Sequence, residues 1–306
     1  MMKVLVSINI PEIGIELLRK EGLETTVWTR ELPMNPEQLL EATLHHDILL
    51  SSSIYNLDSQ FLTQNKHLKL ISQFAAGYNN IDIETAVQLG IPVANTPNAM
   101  TDATADIAFA LMLAVARKMF FMHQKILDDD WGPFRPKAHL GMELKGKTVG
   151  IFGMGRIGTA FAERCAGAYG MKVVYHNRAA NSKLEKKLKA TFVSFDTLLR
   201  QSDVISVHSA LTEETREKFN RSAFERMKSS ALFINTARGG IHHEGDLITA
   251  LENKTIWGAG LDVTNPEPMK ADNPLLTMEN VAVTPHIGSA TIEARNEMAR
   301  LAALNI

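Results

Sequence analysis

Apolar residues in the first hundred positions fall into short, nearly continuous runs: Lys3–Ile8, Thr26–Trp28, Asp47–Leu50, Leu68–Phe74 and Ile91–Ala94. The segments between them repeat their apolar positions at helical spacing. Runs without an alternating polar face suit strands covered by helices on both sides of a sheet, and their alternation with helices predicts a parallel α/β layer. From Thr101 to Leu127 one long helix is expected, with Ala103, Ile107, Ala110, Leu111, Ala114 and Val115 on its buried side and Thr101 or Asp102 as its cap. Asp128 to Pro136 then breaks regular structure with Gly132, Pro133 and Pro136 while presenting Trp131 and Phe134, which suits an arm or interface loop. Six further strand-like runs follow, at Thr148–Phe152, Lys172–His176, Val204–His208, Ala231–Asn235, Trp257–Leu261 and Val281–Thr284, and Ser289–Ile306 is again helix-periodic. The pattern predicts two α/β domains. Residues 98–284 form a doubly wound parallel sheet, and residues 1–97 with 285–306 form a smaller, discontinuous domain.

Composition narrows the function classes. At 306 residues, 45% hydrophobic and 22% charged, the chain has an ordinary globular balance. Its formal charge of −2 lacks the basic footprint of a nucleic-acid partner. No apolar run is long enough to span a bilayer, and the N-terminal run reads as a strand rather than a signal peptide, so no membrane partner is expected and the cytoplasm is the default compartment. The single cysteine, Cys165, lies on an apolar helical stripe and reads as a buried thiol. The adjacent pairs His45-His46 and His242-His243 lack the spacing that converges ligands on one helix face, so no metal site is expected.

The strongest local signal is the run into Gly153, Gly155 and Gly158, a G-x-G-x-x-G loop with a strand before it and a helical stripe of Ile157, Phe161, Arg164/Cys165 and Ala168 after it. In a dinucleotide site the first glycine makes the turn, the second lets backbone approach a pyrophosphate, and the third lets helix and strand pack closely. Gly153, Met154, Gly155, Arg156, Ile157 and Gly158 are therefore candidate cofactor-binding residues, with the pyrophosphate on the helix N-terminus. The ribose-reading position lies about twenty residues on, where the second strand ends in Asn177-Arg178. A carboxylate there would repel a 2′-phosphate. Asn177 cannot, and Arg178 offers a planar cation to phosphate oxygens. NADPH is expected over NADH, which remains possible.

Three polar residues fall at predicted strand ends in the second half of the chain: Arg238, Glu267 and His286. Ligands bind at the carboxyl ends of strands in a doubly wound sheet. Reduction of a 2-keto acid needs a cation for the carboxylate and carbonyl oxygen, a proton donor and a hydride. Arg238 suits the first, His286 the second and a nicotinamide the third, while Glu267 would orient the imidazole and favour its charged form.

With these motifs in their order and spacing, the chain resembles the D-isomer-specific 2-hydroxyacid dehydrogenases over essentially its whole length, most closely their glyoxylate/hydroxypyruvate reductase branch. The resemblance implies a Rossmann-type dinucleotide domain and a smaller flavodoxin-like α/β substrate domain. It also implies Arg238, Glu267 and His286 as the catalytic set, with the glutamate following Asp262 at the family's spacing. Asp262 would contact the nicotinamide carboxamide. Thr104, the loop of Ser209, Ala210 and Thr215, and Thr236, Ala237 and Gly288 would line the cofactor. Backbone amides at Ala76 and Gly77, with Arg238, His286 and Ser289, would hold a small 2-keto or 2-hydroxy acid, and a homodimer would form through the arm. The family often has proline at the place of Ala210 and glutamate at that of Asp106, which is expected to be structural. The last helical segment stops where the family usually continues, and no regulatory C-terminal domain of the longer phosphoglycerate dehydrogenases is expected. An NAD-linked D-lactate or phosphoglycerate type is the alternative enzyme. A corepressor-like nucleotide sensor is the alternative outside catalysis, and a formate dehydrogenase is disfavoured because Glu267 stands where those relatives carry glutamine.

Overall fold

Strand β1, Lys3–Val6, sends Val4 and Val6 to one face of its sheet and Leu5 to the other, and all three are buried. Val4 and Val6 pack with Ile15, Leu18, Ile48 and Leu50, whereas Leu5 packs with Leu49 and Ile71. Helices cover both faces, as an all-parallel sheet requires. The computed structural model describes all 306 residues and places them in two units, residues 1–100 with 289–306, and residues 101–288.

In the first unit, β2 (Glu24–Val27), β3 (Ile48–Ser51), β4 (Leu70–Gln73) and β5 (Val93–Ala94) join β1 in a five-stranded parallel sheet of order β2-β1-β3-β4-β5. This is the flavodoxin-like order. The C-terminal helix Ile292–Leu304 buries Met298, Ala299, Ala302 and Ala303 in the same core as Val4 and Val6. Its approach to the helix Glu12–Lys20 is close enough that a Cβ on Gly14 would sit 2.8 Å from the Ala299 carbonyl oxygen.

The second unit has seven parallel strands: β6 (Thr148–Phe152), β7 (Lys172–His176), β8 (Thr191–Phe192), β9 (Val204–Val207), β10 (Leu232–Asn235), β11 (Gly258–Leu261) and β12 (Val281–Val283). Their order is β12-β11-β10-β9-β6-β7-β8, so β6 lies between β7 and β9 and the topology reverses there. That is the switch point at which doubly wound sheets bind ligands. The sequence pattern contains six of these strands. β8 is two residues long and exposed on both, so it carries no hydrophobic run. Several other strands end a residue or two inside the apolar run, because a buried loop residue is as hydrophobic as a buried strand residue.

The expected single helix Thr101–Leu127 is two helices, Thr101–Ala116 and Met119–Leu127. Lys118 breaks it with a left-handed backbone, φ 54°, which ends the i→i−4 ladder. Its side chain is buried, with Nζ 3.0 Å from Glu279 Oε1 and 5.4 Å from the Trp257 ring centre. Asp102 pairs with Arg164, 3.1 Å from Nη2, and Asp106 accepts from Arg164 Nε at 2.6 Å. These acids therefore join two helices. Cys165 is fully buried, and burial pushes its thiol pKa well above the ordinary value, which keeps it unreactive. The chain leaves the second unit after Gly288 rather than after Thr284, because the Ile287 and Gly288 amides donate to Asp262 beyond β11. His286 thus belongs to the second unit. No helix is long and apolar enough to cross a membrane.

Two imidazoles withdrawn from water give this fold an acid limit, and for His208 that withdrawal pushes the pKa down to about 3. His242 is fully buried, its ring 5.7 Å from that of Phe233, and burial, aided by neighbouring His243, pushes its pKa down to about 4. In the unfolded chain it titrates near 6.5. The unfolded state therefore binds the extra proton first as pH falls. The stability contributed by neutral His242 is full above about 6.5 and is lost as pH drops toward 4, at up to about 1.4 kcal/mol per pH unit. Thermal melts between pH 7 and pH 5 should show a falling midpoint, and His242→Leu should reduce that slope by about half, His208 supplying the rest. An equally steep fall in the variant would assign the acid sensitivity elsewhere.

Candidate active site

Strand β6 runs directly into the glycine loop. Gly153 has φ +94°, and a Cβ there would lie 2.5 Å from the Ser209 amide nitrogen, so the turn after β6 nests against the loop after β9 only with glycine at this position. A Cβ on Gly158 would meet the Gly153 carbonyl oxygen at 2.6 Å, which fixes how closely the helix Arg156–Tyr169 approaches the strand. Gly155 differs from both. A Cβ there would find nothing within 4 Å, and Gly155 caps the helix without any side-chain hydrogen bond. The helix N-terminus headed by Arg156 and Ile157 thus opens into free space with its first amides uncapped, which fits the diphosphate of a dinucleotide. Ser209 Oγ and Thr236 Oγ1 are buried without partners. Ala210 is held by Thr215, whose Oγ1 donates to its carbonyl at 2.8 Å.

Asn177 turns back on the glycine loop. Its Oδ1 accepts from the buried Met154 amide at 2.6 Å, and its Nδ2 lies 3.5 Å from the Met154 carbonyl. It braces the loop rather than reaching outward, a role its position at a strand end did not reveal. Arg178, next in the chain, is exposed and has no ion pair or hydrogen bond within the protein.

The polar residues after β10, β11 and β12 converge. Asp262, only 1% exposed, follows β11 and receives Thr284 Oγ1 at 2.6 Å and the Ile287 amide at 2.8 Å on Oδ1, and the Gly288 amide at 2.8 Å on Oδ2. Burial outweighs these donors and raises its pKa above the usual carboxylate value. Asp262 thereby pins the turn that carries His286, itself at φ 53°. Thr104 Oγ1 donates to the Gly288 carbonyl at 3.0 Å from the other side. His286 Nδ1 lies 2.5 Å from Glu267 Oε1. Burial pushes the Glu267 carboxyl up, but the hydrogen bond and charge of His286, the Thr264 amide and Arg238 together bring it below its ordinary value. With Nδ1 engaged, Nε2 is the imidazole nitrogen left to face a substrate.

Arg238 sits at the start of the turn Gly239–Ile241 after β10. Its Nη1 donates to the Ala237 carbonyl at 2.7 Å, and burial lowers its pKa while Glu267 opposes that shift. Asn235, fully buried at the end of β10, accepts from the Ala237 amide at 3.0 Å and donates to the Arg238 carbonyl at 3.0 Å. The sequence signal for Asn235 was a polar residue closing an apolar strand, which by itself says nothing about its partners. Arg238, Glu267, His286 and Asp262 all lie in the second unit.

Ala76, Gly77 and Ser289 belong to the first unit. Asn95 Nδ2 donates to the Ala76 carbonyl at 2.7 Å and the Thr96 amide to the Ala75 carbonyl at 3.0 Å, which hold the loop after β4. The amides of Ala76 and Gly77 donate to no protein group. Ser289 accepts from the Thr291 amide at 3.0 Å, just before the last helix.

Residues 109–288 match the model of the NAD binding domain of D-isomer specific 2-hydroxyacid dehydrogenases. The chain is 42% identical over 308 residues to a glyoxylate reductase of Thermococcus litoralis, covering 99% of this chain and 92% of that one. Among solved structures, a glyoxylate reductase from Paecilomyes thermophila superposes with a TM-score of 0.89 at 33% identity, covering 99% and 94% of the two chains. An NADPH-dependent glyoxylate/hydroxypyruvate reductase from Sinorhizobium meliloti gives a TM-score of 0.82 at 29% identity, covering 99% and 93%.

The open cradle at Gly155 can be tested directly. Gly155→Ala should leave the thermal midpoint unchanged, since its Cβ meets nothing, yet weaken dinucleotide binding measured by calorimetric titration. Gly153→Ala should lower both, because a Cβ there collides with the Ser209 backbone. Unimpaired dinucleotide affinity in Gly155→Ala would place the pyrophosphate elsewhere.

Proposed function

The chain belongs to the D-isomer specific 2-hydroxyacid dehydrogenases, NAD(P)-dependent oxidoreductases, and within that family we propose that it is an NADPH-preferring reductase of small 2-keto acids, converting glyoxylate to glycolate and hydroxypyruvate to D-glycerate. The observation that carries this reading is the His286–Glu267 pair at 2.5 Å on a turn pinned by Asp262, with Arg238 within electrostatic reach of Glu267. A bound dihydronicotinamide supplies the hydride. Arg238 binds the substrate carboxylate and carbonyl oxygen, a planar fork meeting two oxygens. The proton on His286 Nε2 passes to the carbonyl oxygen as negative charge develops there, and Glu267 at Nδ1 holds the ring in place and balances its charge. Gly153 to Gly158 receive the diphosphate on the uncapped helix N-terminus. Asp262 has one lone-pair position left on Oδ2, which suits the carboxamide of the nicotinamide. Within the first unit, the free amides of Ala76 and Gly77 have the chemistry of carboxylate donors.

The cofactor preference rests on Asn177 and Arg178. Asn177 is committed to Met154 and leaves no carboxylate at the strand end to repel a 2′-phosphate, while the unpaired Arg178 guanidinium is available to bind one. The solved relative from Sinorhizobium meliloti, described as NADPH-dependent, points the same way. A homodimer is favoured by the helix Met119–Leu127, which buries none of its residues, and by exposed Phe120, Leu127, Trp131 and Phe134.

Steady-state oxidation of NADPH and NADH with glyoxylate, hydroxypyruvate and pyruvate tests the reading. NADPH turnover with the first two should be fastest. Dinucleotide binding without turnover would favour a nucleotide sensor. His286→Asn should lower turnover by roughly 10²–10⁴ with cofactor affinity nearly intact; near-normal turnover would remove it from the proton-donor role. Arg178→Ala should raise the KM for NADPH far more than that for NADH, and equal effects would make Arg178 a surface charge only. Sedimentation should report a dimer, and Trp131→Ala with Phe134→Asp should shift it toward monomer.

A further inference from the structure

His242 lies buried one turn beyond Arg238 and has no part in the chemistry described above. Its ring stands edge-on to Phe233, 5.7 Å between centres, and its backbone bridges to Phe219. One polar group reaches its Nδ1: Asn235 Nδ2, at 3.0 Å. The direction of this bond follows from the rest of the Asn235 amide. Oδ1 must face the Ala237 amide, a donor, and Nδ2 must face the Arg238 carbonyl, an acceptor. Nδ2 can only donate, so His242 Nδ1 carries the lone pair and the ring proton sits on Nε2. His242 Nε2 is buried with no partner, so the ring gives up a hydrogen bond on one nitrogen while keeping the one to Asn235.

We propose that His242 is a positioning residue for the oxo-acid site, holding the Asn235 amide in the orientation that fastens the backbone of Ala237 and Arg238. This deepens the reading of Arg238 as the carboxylate-binding residue and rests on it. The two hydrogens on Asn235 Nδ2 are divided between the Arg238 carbonyl and His242. Remove the acceptor at His242 and one buried N–H is left unpaired. The amide keeps its bonds to Ala237 and Arg238, since rotation would set acceptor against acceptor and donor against donor, but it loses the third contact that fixes its plane and carries an unpaired N–H, so the turn it fastens loosens. Because Gly239–Ile241 continues directly from Arg238, the guanidinium moves with it.

The test compares His242→Leu, which fills the space without an acceptor, with His242→Gln, whose side-chain oxygen can accept from Asn235. Arg238 meets the oxo acid and not the dinucleotide. In His242→Leu the KM for glyoxylate should therefore rise roughly five- to tenfold, with the KM for NADPH unchanged and the thermal midpoint at pH 8 lowered by only about 2–4 °C. His242→Gln should recover the wild-type value. Without any substrate, amide hydrogen exchange across residues 236–241 should quicken in the leucine variant and return to normal in the glutamine variant. An unchanged glyoxylate KM in His242→Leu overturns the positioning role, and so does a variant in which both KM values rise and exchange quickens throughout the second unit. If the wild-type protein itself fails to reduce glyoxylate, the functional reading fails, and the exchange comparison alone then decides whether His242 fastens the turn.

Discussion

The polar cluster at the carboxyl edge of the second sheet depends on one buried carboxylate. Asp262 takes a hydroxyl and two backbone amides from the segment after β12, and that segment carries His286. A carboxylate removed from water is expensive unless donors replace its hydration. Here the donors come from a turn that has no regular secondary structure of its own. The stability of the buried carboxylate and the placement of His286 are thus the same set of hydrogen bonds. Glu267 is set differently: it is only partly buried, and His286 and Arg238 hold its carboxyl in the ionised form. Two acids a few residues apart in sequence therefore serve distinct ends, one fixing backbone and the other orienting an imidazole.

The glycine loop follows a related logic. Its glycines remove side chains where backbone must approach backbone, as Gly153 does against Ser209, or where space must stay open, as at Gly155. Removing side chains also removes restraint. Asn177 restores it by bonding the Met154 amide from the end of β7, so the neighbouring strand holds the loop that β6 delivers. Asn235 does the same for the turn that bears Arg238, and His242 stands behind it. At three strand ends, then, a short polar side chain ties down the irregular backbone that presents the chemistry, consistent with sites being most exact where rigid elements support them.

Much of this protein was legible in its residues. The short continuous apolar runs gave parallel strands covered on both faces, and the observed sheets are parallel throughout. The spacing of Gly153, Gly155 and Gly158 between strand and helix pointed to a dinucleotide site, and the open space at Gly155 fits one. Arg238, Glu267 and His286 stood out as polar residues at strand ends. Periodicity does not carry geometry. Thr101–Leu127 has an unbroken helical pattern, yet Lys118 turns inward to Glu279 and Trp257, residues far along the chain. β8 went unseen because its two residues are exposed and need no hydrophobic pattern.

Architecture and chemical inventory are written in the residues alone, because strand and helix periods, turn-forming glycines and the identities of ionisable groups are local properties of neighbouring residues. Tertiary structure alone decided which groups share hydrogen bonds. Asp262 with Gly288, Met154 with Asn177 and Glu267 with His286 are partners across loops, chosen by how strands align and what their burial leaves unsatisfied. A buried polar atom must find a partner, but its own sequence neighbourhood does not say which one.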